Sequence, residues 1–444
     1  MSSPELHDVQ ALVARGFADL KAARFLLVGL DDPAWLGYVA GTVTRGDERP
    51  DTRAVQVGLT SSGLRRLGLD AATIALFSNE FADGMTARHR SRNLGDTGDN
   101  APERWDWGGP TTPEVDAALL LYASDEAGLD ALEREHAGPR VVARLGTSNL
   151  DDREPFGFRD GVSQPFLEGL GKKGPPEVTV RFGEFVLGYP NEYGRYTEQV
   201  LLDARPELAR NGSYLVFRQL SQDVRGFWGF LDAVTRRPDG SSDPGRRLRL
   251  AAKMVGRWPS GAPLALAPDD DEPALAEAND FSYHEADRHG MSCPVGAHIR
   301  RANPRDSLDP KPGTAKSWEI NRRHRILRRG REYGSGVTPD EALQRKIGPA
   351  DDEQGLHFIC LNGNIARQFE FVNNTWLNSP KFADLYDDSD PVSAPSHPHG
   401  GTFTVQSEPV RERVLGVPRF VSVKGGAYFF LPGITALRSL ARLG

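Results

Sequence analysis

His298 sits in the stretch Ser292–Asp306, which reads Ser-Cys-Pro-Val-Gly-Ala-His-Ile-Arg-Arg-Ala-Asn-Pro-Arg-Asp. Imidazole is a good ligand for a transition metal. Gly296 and Ala297 beside it leave space for something flat and bulky to approach the backbone. Arg300, Arg301 and Arg305 offer guanidinium groups that neutralise carboxylates on such a ligand. An iron porphyrin meets both needs. A lone histidine is more often a structural or surface residue, however, so the ligand reading needs chemistry from elsewhere in the chain to complete it.

That chemistry has two candidate sources. The first is Glu154-Pro155-Phe156-Gly157-Phe158-Arg159-Asp160-Gly161-Val162-Ser163-Gln164-Pro165, where Gly157 and Gly161 bracket an acid. A loop of this kind can aim the Asp160 carboxylate into a cavity while its backbone lies close to a ligand. The plain alternative is an ordinary Asp-Gly turn. The second is His324-Arg325-Ile326-Leu327-Arg328-Arg329-Gly330, a basic run in which His324 is expected at the surface. Two other clusters read as loops. His397 and His399 have metal-ligand spacing, but a proline separates them and no third ligand is near. Asp269-Asp270-Asp271-Glu272 is a solvated acidic segment, because four adjacent acids cannot converge on one ion.

Taken in order, Gly157–Gly161, Gly296–Arg305 and His324–Gly330 resemble the haem-containing dye-decolourising peroxidases. The resemblance extends to Asp8–Leu30, Gly84–Gly109, Ser213–Asp232 and Gly425–Leu437, and so covers most of the chain. It implies haem b (iron protoporphyrin IX) as cofactor and His298 as its proximal iron ligand. It places Asp160 on the distal face as acid-base and Arg328 beside it as charge stabiliser, with Arg329 as the neighbouring alternative. Gly157 and Gly161 would shape the cofactor-binding loop, and Arg300 or Arg301 would meet a propionate. The implied activity is reduction of hydrogen peroxide coupled to oxidation of bulky dyes, phenols or similar donors. A haem carrier or storage protein on the same scaffold is the alternative, although a carrier needs only the iron ligand and a pocket. Dyes too large for the pocket would pass electrons through a surface tyrosine or tryptophan, with Trp318 and Tyr333 nearest the motifs.

The elements that must position these residues read as α+β. Arg24–Leu30, Ala54–Leu59, Ala117–Tyr122 and Arg140–Leu145 are strand-like, with helices after the first (to about Thr42) and over Ser124–His136. Gly84–Gly109 lacks periodicity and reads as a long ordered loop. Ser213–Leu220, a helix over Gly226–Arg236, Leu356–Leu361 and Phe420–Phe430 repeat the theme, and Ile434–Leu443 reads as a terminal helix. The expected fold is two fused ferredoxin-like α+β sandwich halves, as in the dimeric α/β-barrel superfamily. Residues 1–150 form the first half, 151–210 a linker carrying the Asp160 loop, and 211–444 the haem-binding half.

Composition bounds the function classes. The chain has 444 residues, 39% of them hydrophobic, which suffices for a large core. A net charge of -7 with interspersed signs argues against general nucleic-acid binding. Only Cys293 and Cys360 occur, which excludes a disulfide framework or cysteine-zinc site, leaves one optional bridge and suits a reducing cytoplasm. No signal peptide and no membrane-length apolar run is visible. The expected partners are peroxide and organic electron donors, with no nucleic acid and no membrane; monomer and homo-oligomer are both open.

Overall fold

The computed structural model describes residues 3–32, 34–150, 152–171, 174–344, 353–394 and 400–443. His397 and His399 lie outside the described residues.

The first strand explains why the apolar runs are continuous. In β1 (Ala22–Gly29), Phe25 and Leu27 point into one hydrophobic cluster while Leu26 and Val28 point into another. A strand buried on both faces carries no polar alternation. It is followed by α1 (Ala34–Thr42), β2 (Arg53–Leu59), β3 (Ala117–Ala123), α2 (Glu126–Glu135) and β4 (Arg140–Gly146). These strands pair antiparallel in the order β4-β1-β3-β2.

The same permutation recurs further along. β5 (Ser213–Gln222) leads into α3 (Val224–Val234). A strand split into β6 (Leu327–Arg328) and β7 (Arg331–Tyr333) follows, then β8 (Gly355–Asn362), widened helical turns over Ala366–Glu370 and Val372–Leu377, and β9 (Val421–Leu431). Their order is β9-β5-β8-β6, with β7 also on β8. Each set is a ferredoxin-like β-α-β-β-α-β unit. The two sets meet where Phe430 of β9 pairs with Leu59 of β2, giving one nine-stranded sheet. Its far edges approach one another: Ser148 N–H donates to Glu332 O at 2.8 Å, and His357 Nε2 lies 2.9 Å from Gly146 O. The inner face is packed with Phe25, Tyr122, Phe217, Ile359 and Phe429.

Two expectations change. Gly84–Gly109 is not a long loop: it contains a helix over Arg88–Leu94 and two short turns. Its polar composition reflects a polar interior, because Arg90 pairs with buried Glu370 at 3.1 Å and Asp96 with buried Arg218. Trp105 and Trp107 are buried there, donating to Asn100 O and Gln219 Oε1. Cys293 and Cys360 are both free and buried, so the optional bridge is not made. No helix among the described residues is long and apolar enough to cross a membrane.

Candidate active site

His298 opens a one-turn helix, α4 (His298–Ala302), and its Nδ1 lies 2.9 Å from Oδ2 of Asp390. The Asp390 side chain is fully buried, and its other oxygen accepts from the N–H groups of Val392 (3.0 Å) and Ser393 (2.7 Å). Burial alone would raise the Asp390 carboxyl, but His298 and the Ser393 N–H outweigh it and hold it below the usual carboxylate range. Burial would likewise lower His298, and Asp390 reverses that, by charge and by hydrogen bond. A carboxylate so fixed holds the proton on Nδ1 and leaves the Nε2 lone pair free for a ligand.

Asp160 and Arg328 come together from distant segments. Arg328 leaves β6, which is paired with β8 at Cys360, and its Nη1 donates to Asp160 Oδ1 at 2.7 Å. Burial pushes the Asp160 carboxyl up, yet Arg328, the Gly161 N–H and the charge of His298 together hold it below its ordinary value. The side chains of His298, Asp160 and Arg328 are 32%, 42% and 31% accessible. Desolvation is nevertheless the strongest single influence on His298 and Asp160. His298 and Asp160 are thus partly accessible yet largely desolvated by the surrounding chain.

The loop that carries Asp160 is closed on itself by Glu154. Its carboxylate accepts from the N–H groups of Phe156 and Phe158, both at 2.9 Å, and from Gln222 Nε2 of β5 at 2.8 Å. Burial pushes this acid up to about 7. Phe156 packs on Phe227 of α3 (4.5 Å between ring centres), and Trp228 Nε1 donates to Phe156 O. Gly157 and Gly161 have φ of 97° and 79°, which glycine adopts without strain. A Cβ at Gly157 would meet Pro339 rather than a ligand, whereas open space lies beside Gly161.

The arginines sort differently from expectation. Arg300 and Arg301, expected at the cofactor's carboxylates, have their donors engaged within the protein. Arg300 pairs with Asp287 at 3.1 Å and donates to Cys293 O, while Arg301 donates to Gly296 O, Trp376 O and Ser379 O. They are framework for the His298 segment, because a buried guanidinium must satisfy its five N–H groups somewhere. Arg305 stacks 3.9 Å over Phe281 and donates to Asn279 O. Arg329 donates to Leu12 O and Val13 O, so Arg328 is the one that faces Asp160. His324, expected at the surface, is half-buried, stacked 4.0 Å on Phe371, and lowered to about 4 by burial. Tyr333 is buried against His357.

Three residues that sequence reasoning left unassigned belong to the site: Asp390, Glu154 and Arg325. Asp390 has two neighbouring acids with other duties, since Asp388 accepts from Thr404 N–H and Asp387 pairs with Arg413. Nothing in the composition of Asp387–Asp390 marks one of them. Arg325 is buried, donates to Ser163 O at 2.9 Å, and is lowered to about 9 by burial, with Arg305 and Arg328 pushing the same way. Arg257 is lowered to about 10 by burial and by Arg305. Neither forms an ion pair with a carboxylate among the described residues, and Arg257 donates instead to Gly261 O and Ala278 O. A buried surplus of guanidinium charge calls for an anion. An imidazole with a free nitrogen, open space beside Gly161, and uncompensated arginines fit a flat, iron-bearing dianion.

Comparison with known proteins agrees. No protein-family model matches the chain. It is 33% identical over 459 aligned positions to the multifunctional dye peroxidase DyP2 of Amycolatopsis sp. (strain ATCC 39116 / 75iv2), covering 96% of this chain and 91% of that protein. A solved ancestral D-type dye-decolorizing peroxidase superposes with a TM-score of 0.81 at 28% identity, covering 99% of this chain and 100% of the other. A dye-decolorizing peroxidase solved in complex with 2,6-dimethoxyphenol gives 0.81 at 26%, with the same coverage. The chain belongs to the dye-decolourising peroxidases, a family of haem enzymes.

Proposed function

We propose that this chain binds haem b through His298 and reduces hydrogen peroxide at the expense of dyes or phenols. The observation that carries the reading is the Asp160–Arg328 ion pair together with the Asp390-oriented His298, whose charge is felt at Asp160. A haem carrier has no use for that pair. Haem, when bound, supplies the iron at which peroxide is taken up and the electrons for its reduction.

The chain's own residues have separable tasks. Asp390 fixes the His298 ring and makes its free nitrogen more basic. Arg325 is the counter-ion for a cofactor carboxylate, in place of Arg300 and Arg301. Asp160 takes a proton from one oxygen of hydrogen peroxide and returns it to the other, which leaves as water. Arg328 stabilises negative charge that builds on the departing oxygen. The peroxide needs two electrons in all, so two donor molecules are each oxidised by one electron. Phenols and dyes are the proposed donors, in keeping with the phenol held by one relative. Cys293 and Cys360, both unbridged, support a cytoplasmic location.

The test is the absorption spectrum of haem-loaded protein before and after peroxide, with His298→Ala alongside. We expect a Soret band that shifts on peroxide addition in the parent, and an altered band with weakened haem retention in the variant. A variant with an unchanged spectrum would remove His298 from the iron.

A further inference from the structure

Three segments carry the site, and polar side chains with little access to solvent join them. α4 ends at Asn303, whose N–H caps it on Ile299 O at 2.9 Å. The Asn303 side chain is buried and turns to the Asp160 segment, where its Nδ2 donates to Ser163 Oγ at 3.2 Å. Its Oδ1 accepts from Nδ2 of buried Asn321 at 2.9 Å, near the end of a helix over Ala315–Arg322. Four residues beyond Asn321, buried Arg325 reaches back to Ser163 and donates to its carbonyl at 2.9 Å. A circuit is thereby closed, from Asn303 to Ser163 to Arg325 and back through Asn321.

The circuit has a fixed sense. Asn321 donates to Asn303 Oδ1, which leaves Asn303 Nδ2 for Ser163, and an amide turned over would lose both bonds. A buried amide bonded through both ends is held in one orientation. On the Asp160 side the circuit grips a stiff unit. The Arg328 N–H donates to Gln164 Oε1 at 3.1 Å while its Nη1 donates to Asp160 Oδ1 at 2.7 Å, so residues 160–164 and Arg328 hold one another at two points with Ser163 between them. On the other side Asn303 is five residues from His298. The two walls stand near enough for the charge of His298 to act on Asp160.

We propose that Asn303 is a positioning residue for peroxide reduction, which through Ser163 fixes where the Asp160 carboxylate stands relative to the His298 ring. The inference rests on the roles proposed for Asp160 and His298. Misplacing a reacting group by about 1 Å costs up to about 10²-fold in rate, and the loop bearing Asp160 and the one-turn helix bearing His298 belong to segments far apart in the chain. Asn303 joins them directly.

Rapid mixing of haem-loaded protein with hydrogen peroxide separates this from a purely structural role. Ser163→Ala and Asn303→Ala should each slow the reaction by about tenfold, with the resting Soret band and haem content unaltered, whereas Ser163→Thr, which keeps the hydroxyl, should match the parent. In an Asp160→Asn background the same two substitutions should slow it no further, because the tie acts through the Asp160 carboxylate. Denaturant unfolding of the haem-loaded chain gives a readout without turnover: Ser163→Ala should cost less stability when added to Asn303→Ala than when made alone, the mark of a shared bond. Should Asn303→Ala not retain haem, the kinetics of Ser163→Ala, at a half-buried position, decide. Slowing that persists in the Asp160→Asn background, additive losses of stability, or a reactive parent whose rate is indifferent to both substitutions would overturn the tie alone. A parent inert to peroxide would overturn it together with the roles of Asp160 and His298.

Discussion

Asp160 carries opposed demands on one carboxylate. Burial favours its neutral form, while the Arg328 guanidinium and the Gly161 N–H, both of which persist when His298 is a neutral iron ligand, favour the anion. A base kept ionised below the ordinary carboxylate value of about 3.9 keeps working as the solution turns acidic. The rate of reaction with peroxide should therefore stay level between pH of about 6 and about 5, falling only as the pH drops through that carboxylate range. Rapid-mixing measurements across this window check it; a midpoint near 6.5, the histidine value, would point to another base. The same sign holds for stability: a depressed carboxyl contributes above its unfolded value, and the contribution is lost as pH falls through the folded one. Asp160→Asn keeps the shape and removes the base. It should slow peroxide reduction by about 10²- to 10⁴-fold while haem binding, read from the Soret band, persists.

At the scale of elements, Asp160 is placed by a loop that the Glu154 carboxylate ties together and that the rings of α3 clamp from outside. Glu154→Ala leaves the N–H groups of Phe156 and Phe158 without their acceptor. The expected cost is about 1–3 kcal/mol, read as a lower denaturant midpoint, with a slower peroxide reaction at unchanged haem content. Glu154→Gln, which keeps one carbonyl acceptor, should lose less on both measures. The Asp160 loop was legible in the sequence because glycines flanking an acid have a backbone reason. The strands were legible because burial on both faces writes them as unbroken apolar runs. Gly84–Gly109 was not, since the segment is held by ion pairs from Arg90 in its helix to Glu370 and from Asp96 beyond it to Arg218, which local periodicity does not record. Asp390 was invisible for a related reason: it lies 92 residues from His298, among acids of identical type. Arg300 and Arg301 misled because proximity in sequence to His298 said nothing of which way their guanidinium groups turn.

The whole molecule joins two copies of one strand order through few backbone contacts but a shared interior. Only Phe430 and Leu59 pair between β9 and β2, yet both faces of the sheet are packed across the join. On one face Phe430 sits 5.1 Å from Phe77, 6.3 Å from Phe81 and 5.9 Å from Tyr214; on the other, Phe25 meets Phe217 edge-on at 5.5 Å. Side chains from residues 22–146 and 213–431 thus complete one another's cores. Neither half retains a closed apolar face when the other melts, so the two should unfold together. Phe430→Ala, at the junction, should destabilise the protein by about 3–5 kcal/mol. Because its neighbours belong to both halves, the loss should shift the far-ultraviolet circular dichroism and tryptophan fluorescence transitions equally. Separate transitions, with only one moved by the substitution, would mean that the halves are stable in isolation and that the shared interior couples them weakly.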